Sequence, residues 1–176
     1  MYKRLLLKLS GEALKNEDNS LILSGNKLRH FAEVIKDLHD NGFQICIVIG
    51  AGNIWRGKIA EDIGLEREPA DFMGMMGTVI NAVALSSALK GIGVASVVTT
   101  AIPEIPGIDT NYSKELAVKS MEEGKVVFLA GGTGKPCGQH WENPVRPQTS
   151  SADRGWCGAE DDLPRSRTVR YALRTA

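Results

Sequence analysis

The chain has 176 residues, 43% of them apolar and 24% charged, and its 21 basic and 21 acidic side chains leave a formal net charge of zero. That is enough apolar chain for one self-supporting core, and its neutrality argues against a bulk binder of nucleic acid or of membrane surfaces. Apolar runs such as Ile45–Ile49 are too short to cross a bilayer, and three cysteines without a CxxC pair exclude a disulfide scaffold and favour a reducing cytoplasm.

Met1–Leu9 mixes Lys and Arg with a short Leu run and lacks a small-residue cleavage site, so it does not read as a signal peptide. Tyr2–Leu9 reads as a strand buried on both faces. Ser24 is placed to cap a helix carrying Leu28, Phe31, Ile35 and Leu38 at helical spacing, and Gly42 stops it. Phe43–Ile49 is a β-branched strand that runs into the tight loop Gly50–Asn53. A long Ala/Met/Val helix over Ala70–Leu89 ends near Gly91 and Gly93, and Val94–Thr99 follows as a strand. Ser113–Glu122 is a helix stopped by Gly124, and Lys125–Ala130 is a strand leading into Gly131–Pro136. No internal repeat or low-complexity segment interrupts this order. Near-continuous apolar strands alternating with helices define an α/β fold with a mainly parallel sheet.

Composition changes after residue 136. All 11 Lys lie before that point with 4 Arg, whereas residues 137–176 hold 6 Arg, no Lys, Ile, Phe or Met, and two of the three Trp. With Pro144, Pro147 and Pro164 and no apolar period across it, this tail reads by itself as disordered.

Ligands of open parallel sheets bind beyond the carboxyl ends of the strands. Three expected strands end there in glycine-bearing loops: Lys8–Glu12, Gly50–Gly57 and Gly131–Pro136. Glycines let several backbone N–H groups converge on an oxyanion, and Lys8 and Arg56 add the positive charge that phosphoryl groups need. Any one loop reads as a simple turn; three together point to a phosphate site. The site is not a P-loop, because Leu129 and Pro136 stand where that motif needs Gly and Ser/Thr. It is not a dinucleotide fingerprint either, because Trp55 takes the third glycine position. Asp71 reads as opening the long helix and favouring its dipole. Met73, Met75 and Met76 read as core packing, Cys46 as a buried strand residue, and His30 and His39 as solvated. Cys137, His140 and Cys157 lack the full spacing of a metal site.

The segments Tyr2–Leu14, Val48–Gly57, Ala70–Ala84 and Val126–Pro136 together resemble the bacterial uridylate (UMP) kinases of the amino acid kinase superfamily. The segment Ala70–Ala84 points to the uridylate kinases in particular. The resemblance implies a three-layer αβα sandwich and ATP-dependent, Mg2+-assisted phosphorylation of UMP to UDP in pyrimidine nucleotide biosynthesis. By position, Lys8, Leu9, Ser10, Gly11, Gly52 and Arg56 would hold the ATP phosphates, with Lys8 the catalytic charge. Ala51, where many relatives have Gly, and Asp71, Thr133, Gly134, Lys135 and Pro136 would contact UMP. No protein metal ligand is assigned. A cytoplasmic homo-oligomer, a hexamer in the family, is implied, with no nucleic-acid or membrane partner. Phosphoryl transfer needs positioning and charge neutralisation rather than a covalent nucleophile, which suits these residues.

Residues 1–136 therefore read as the N-terminal part of such a domain, carrying the UMP side and the phosphate loops. Residues 137–176 depart from the family. Read in a shifted frame, Thr149–Glu160 can become Arg-Ala-Ala-Gln-Ile-Gly-Ala-Gly-Val-Val-Leu-Lys, against Arg-Ala-x-Glu-Ile-Gly-Ala-Asp-Val-Ile-Leu-Lys in the family. The expectation is a C-terminal part truncated or frameshifted after about Pro136, and a chain that is poorly stable and inactive if the tail is expressed as written. The alternatives are an inactive nucleotide-binding or subunit-interaction fragment, and another amino acid kinase acting on a carboxylate or carbamate.

Overall fold

The computed structural model describes residues 3–17 and 20–134 and the backbone of Thr168–Leu173. In chain order the elements are β1 (Arg4–Leu9), a 3-10 turn (Gly11–Leu14), α1 (Gly25–Asp40), β2 (Gln44–Ile49), α2 (Gly57–Asp62), α3 (Arg67–Gly91), β3 (Ser96–Thr100), β4 (Thr110–Asn111), α4 (Lys114–Glu122), β5 (Val126–Ala130) and β6 (Thr168–Leu173). The strands form one sheet in the order β4-β3-β5-β2-β1-β6, and every pairing is parallel.

The strands are where their apolar runs put them because both faces are covered. On one face Leu5, Leu7, Leu9, Ile45, Ile47 and Phe128 pack with Phe31 and Ile35 of α1 and Val79, Leu85 and Leu89 of α3. On the other, Leu6, Cys46, Val48, Val127 and Leu129 meet Ala117 and Met121 of α4. This is the expected three-layer αβα sandwich. Ser24 and Ser113 cap α1 and α4 through their hydroxyls, which accept from the N–H groups of Lys27 and Leu116.

α2, the 3-10 turn, β4 and β6 were not expected. The first three are too short for a period to stand out. β6 runs beside β1 in the register Arg4↔Thr168 through Leu9↔Leu173. Val169, Tyr171 and Leu173 do alternate with Thr168, Arg170 and Ala172, but six residues do not show in a 40-residue average. The expected disorder or frame change elsewhere in 137–176, and the Cys137, His140 and Cys157 combination, lie outside the described residues.

α3 corrects three expectations. It starts at Arg67, with Pro69 in the first turn where a missing N–H costs nothing, so Asp71 lies one turn in and does not open the helix. Its 25 residues are by length and composition long and apolar enough to cross a bilayer, contrary to the apolar-run argument; here the inner face is packed on the sheet as a core helix. Of the three methionines, only Met75 packs against the core, while Met73 and Met76 are exposed with Phe72, Ile80 and Val83 along the outer face.

His39 is also less solvated than expected, since its Nε2 lies 2.8 Å from the Gly124 carbonyl; His30 is exposed. Cys46 is buried as expected, and burial pushes its thiol up to about 12. We expect native Cys46 to resist iodoacetamide at pH 8.5 and to be labelled fully once the chain is unfolded. Peptide mass spectrometry checks this, and native labelling at a free-thiol rate would contradict the packing.

Candidate active site

β5, β2 and β1 are neighbours in the sheet and point the same way, so their glycine loops lie side by side at one edge. The loop glycines after β5, Gly131, Gly132 and Gly134, have positive φ, the left-handed conformation that favours glycine. The Gly134 N–H donates to the Gly131 carbonyl at 3.0 Å. Thr133 at the tip is exposed, and Lys135 and Pro136 lie outside the described residues.

The loops after β1 and β2 touch directly. Gly50 N–H donates to the Leu9 carbonyl at 2.9 Å. A Cβ on Gly11 would collide with the Gly50 carbonyl oxygen and stand 2.5 Å from Asn53 Oδ1. Leu9 is 2% exposed, so its side chain belongs to the core and only its backbone reaches the site. Lys8 is the one exposed residue within β1, and Ser10 is exposed beside it.

Arg56 does not stand apart. Its Nη2 is 2.7 Å from Glu12 Oε1, and its Nε lies 3.3 Å from the Gly52 carbonyl. Lys15 joins the same carboxylate at 3.5 Å. Both ends of this cluster are solvent-accessible, so its strength is modest and salt-sensitive.

α3 forms the wall behind the β2 and β5 loops. Gly77 faces Ala51, Asn81 faces Gly50 and Asn53, and Thr78 faces Gly131. Gly131 N–H donates to Thr78 Oγ1 at 2.8 Å, and that hydroxyl donates to the Met75 carbonyl. Asp71 lies on the same helix about 9 Å before Gly77 along the axis. It is half-buried, 3.7 Å from Arg67 Nε, and its Oδ2 is buried with no hydrogen-bond partner among the described residues. This is the same oxygen that pairs with Arg67; ion-paired but without a hydrogen bond, it can still accept from a ligand hydroxyl or N–H.

Glu12, Asn53, Gly77, Thr78 and Asn81 are the residues that sequence reasoning missed. The available signal was a Thr and an Asn three positions apart in the apolar middle of the helix, the spacing of one face.

The described residues do not make a resident Mg2+ site. No group of three or more His, Cys, Asp or Glu is placed to hold a metal among them, and Glu12 is engaged by Arg56 and Lys15. The glycine loops and cations do suit an oxyanion such as a nucleotide phosphate.

A parallel three-layer α/β domain with cationic glycine loops at the strand ends is a scaffold suited to hold an oxyanion. Residues 3–146 match the model of the amino acid kinase family, and the chain belongs to that family. It is 44% identical over 135 residues to a uridylate kinase of Pediococcus pentosaceus, covering 77% of this chain and 55% of the relative. A uridylate kinase of Bacteroides thetaiotaomicron is 49% identical over 135 residues, covering 77% and 56%. The solved UMP kinase of Bacillus anthracis superposes with a TM-score of 0.72 at 38% identity, covering 77% of this chain and 55% of that one. The chain spans about half the length of the curated relatives it matches.

Proposed function

We propose that the chain carries the phosphate-loop and UMP-binding part of a uridylate kinase, which transfers the γ-phosphoryl group of ATP to UMP. The observation that carries this reading is the contact of the β1 and β2 glycine loops, with Lys8 and Arg56 beside them, on a chain 44–49% identical to relatives named uridylate kinase. In this reading Lys8, Ser10, Gly11, Gly52 and Arg56, with the Leu9 backbone, hold ATP phosphates. Ala51, Asp71, Thr133, Gly134, Lys135 and Pro136 contact UMP, and the Asp71 carboxylate accepts from the nucleoside. Lys8 and the loop N–H groups stabilise charge on the phosphoryl group as it transfers; Mg2+ would travel on the phosphate oxygens and neutralise part of that charge.

Residues 1–136 are the kinase part in this reading, which the 135-residue alignments support, and the segment unlike the family follows, although the family-model match itself runs on to residue 146. The exposed apolar stripe of α3 supports self-association, and a buried unpaired Cys46 fits a reducing cytoplasm.

The test is calorimetric titration of the purified chain with UMP and with MgATP, followed by a coupled assay of ADP release. Binding of both nucleotides is expected. UMP-dependent ADP release supports a working kinase; binding without turnover supports an inactive nucleotide-binding fragment. Acceptance of a carboxylate or carbamate in place of UMP would overturn the substrate assignment.

A further inference from the structure

Asn53 and Asn81 form a reciprocal amide pair in the interior, 4% and 0% exposed. Asn53 Nδ2 donates to Asn81 Oδ1 at 2.9 Å, and Asn81 Nδ2 donates back to Asn53 Oδ1 at 2.7 Å. Each amide nitrogen has one N–H left. That of Asn81 goes to the Gly50 carbonyl at 2.7 Å, and that of Asn53 goes to the Ile22 carbonyl at 2.8 Å. All four donors are therefore used. Flipping either amide would aim an oxygen at a carbonyl oxygen, so the pair has one low-energy arrangement.

The pair also sits where the two phosphate loops meet. Gly11 has no room for a side chain between Gly50 and Asn53 Oδ1. The β1 loop thus rests on the β2 loop, the β2 loop hangs on Asn81, and Asn81 belongs to the long helix whose inner face is anchored in the core. Desolvated hydrogen bonds of this kind are stiff, and losing one partner leaves a buried donor or acceptor unpaired.

We propose that Asn53 and Asn81 are positioning residues for nucleotide binding. They fix the separation of the Ser10-Gly11 and Gly50–Gly52 loops, so that N–H groups from both converge on one set of phosphates. This rests on the nucleotide-kinase reading above. It adds a specific requirement: the pair acts as one unit, through the loops, without touching the ligand.

The experiment compares the full chain with Asn81→Ala, with Asn53→Leu/Asn81→Leu, and with Leu38→Ala. The last is a control that loosens core packing on α1. ATP affinity is read by titration, and loop order by hydrogen exchange at residues 10–12 and 50–55. We expect both asparagine variants to lose exchange protection in the two loops and to bind ATP about tenfold more weakly or worse. The double variant should do so even where apolar pairing restores thermal stability, because Gly50 and Ile22 still lose their donors. If Asn81→Ala fails to fold, the double variant carries the comparison. Parent-like affinity and protection in the asparagine variants would overturn the proposal, as would an equal loss in Leu38→Ala at matched stability. If the parent itself binds no ATP, the kinase reading fails, and the exchange data alone decide the positioning role: retained loop protection overturns it, and selective loss upholds it.

Discussion

Replacing Gly11 with Ala should destabilise the chain by about 3 kcal/mol and lower its melting temperature by about 10 °C. The added Cβ would collide with the Gly50 carbonyl and Asn53 Oδ1, two groups that cannot swing aside. One is backbone at the end of β2, and the other is locked by Asn81. Relief requires the β1 and β2 loops to part, so the phosphate site should loosen with the fold, and nucleotide affinity should fall together with stability. Gly91→Ala is the matched control. Nothing lies within 4 Å of a Cβ at that position, and alanine is the better helix former. Thermal melts of both variants check the expectation; a neutral Gly11→Ala would mean that the two loops are not in contact.

The second large effect is a coupling. A Cβ on Gly77 would stand 2.8 Å from Ala51 Cβ and 3.6 Å from Ile54 Cβ. The gap between α3 and the β2 loop thus holds one methyl, and Ala51 supplies it. Gly77→Ala alone gains up to about 1 kcal/mol of helix propensity but forces helix and loop apart, for a net loss of about 1–2 kcal/mol. Ala51→Gly alone empties the gap and frees the loop backbone, costing about 1 kcal/mol. The double variant moves the methyl to the helix and should recover most of the loss, with a coupling energy of about 1–3 kcal/mol. Denaturant unfolding of the four chains measures it. Simple additivity would mean that Ala51 and Gly77 do not share the gap. The Ala51 methyl is therefore matched by a glycine on the facing helix.

Much of the fold was legible because burial on both faces leaves a strong mark. β1, β2 and β5 are largely runs of Leu, Ile and Val and β3 is β-branched, and their observed ends lie within two residues of the expected ones. α1 was bounded by Ser24 and Gly42, whose roles are local. The elements that escaped notice have no such mark: β4 has two residues, α2 has six, and β6 sits in a stretch whose surroundings look unlike a strand. Met73 and Met76 were misjudged because a helix apolar on nearly every side does not announce which side faces inward.

The same division runs through the site. Lys8, Gly11, Gly52 and Arg56 could be read from the chain because glycine and cation chemistry at a strand end is a local property. The sequence by itself thus determined the fold class and singled out the loops proposed for phosphate chemistry. Only the tertiary structure decided how those loops are held, because Gly11 and Gly50, or Asn53 and Asn81, lie 28 residues or more apart along the chain. Parallel pairing of β1 with β2 and the packing of α3 against the β2 loop bring them together. Contacts of that separation leave no local period or spacing, and they appear only when the sheet order is known.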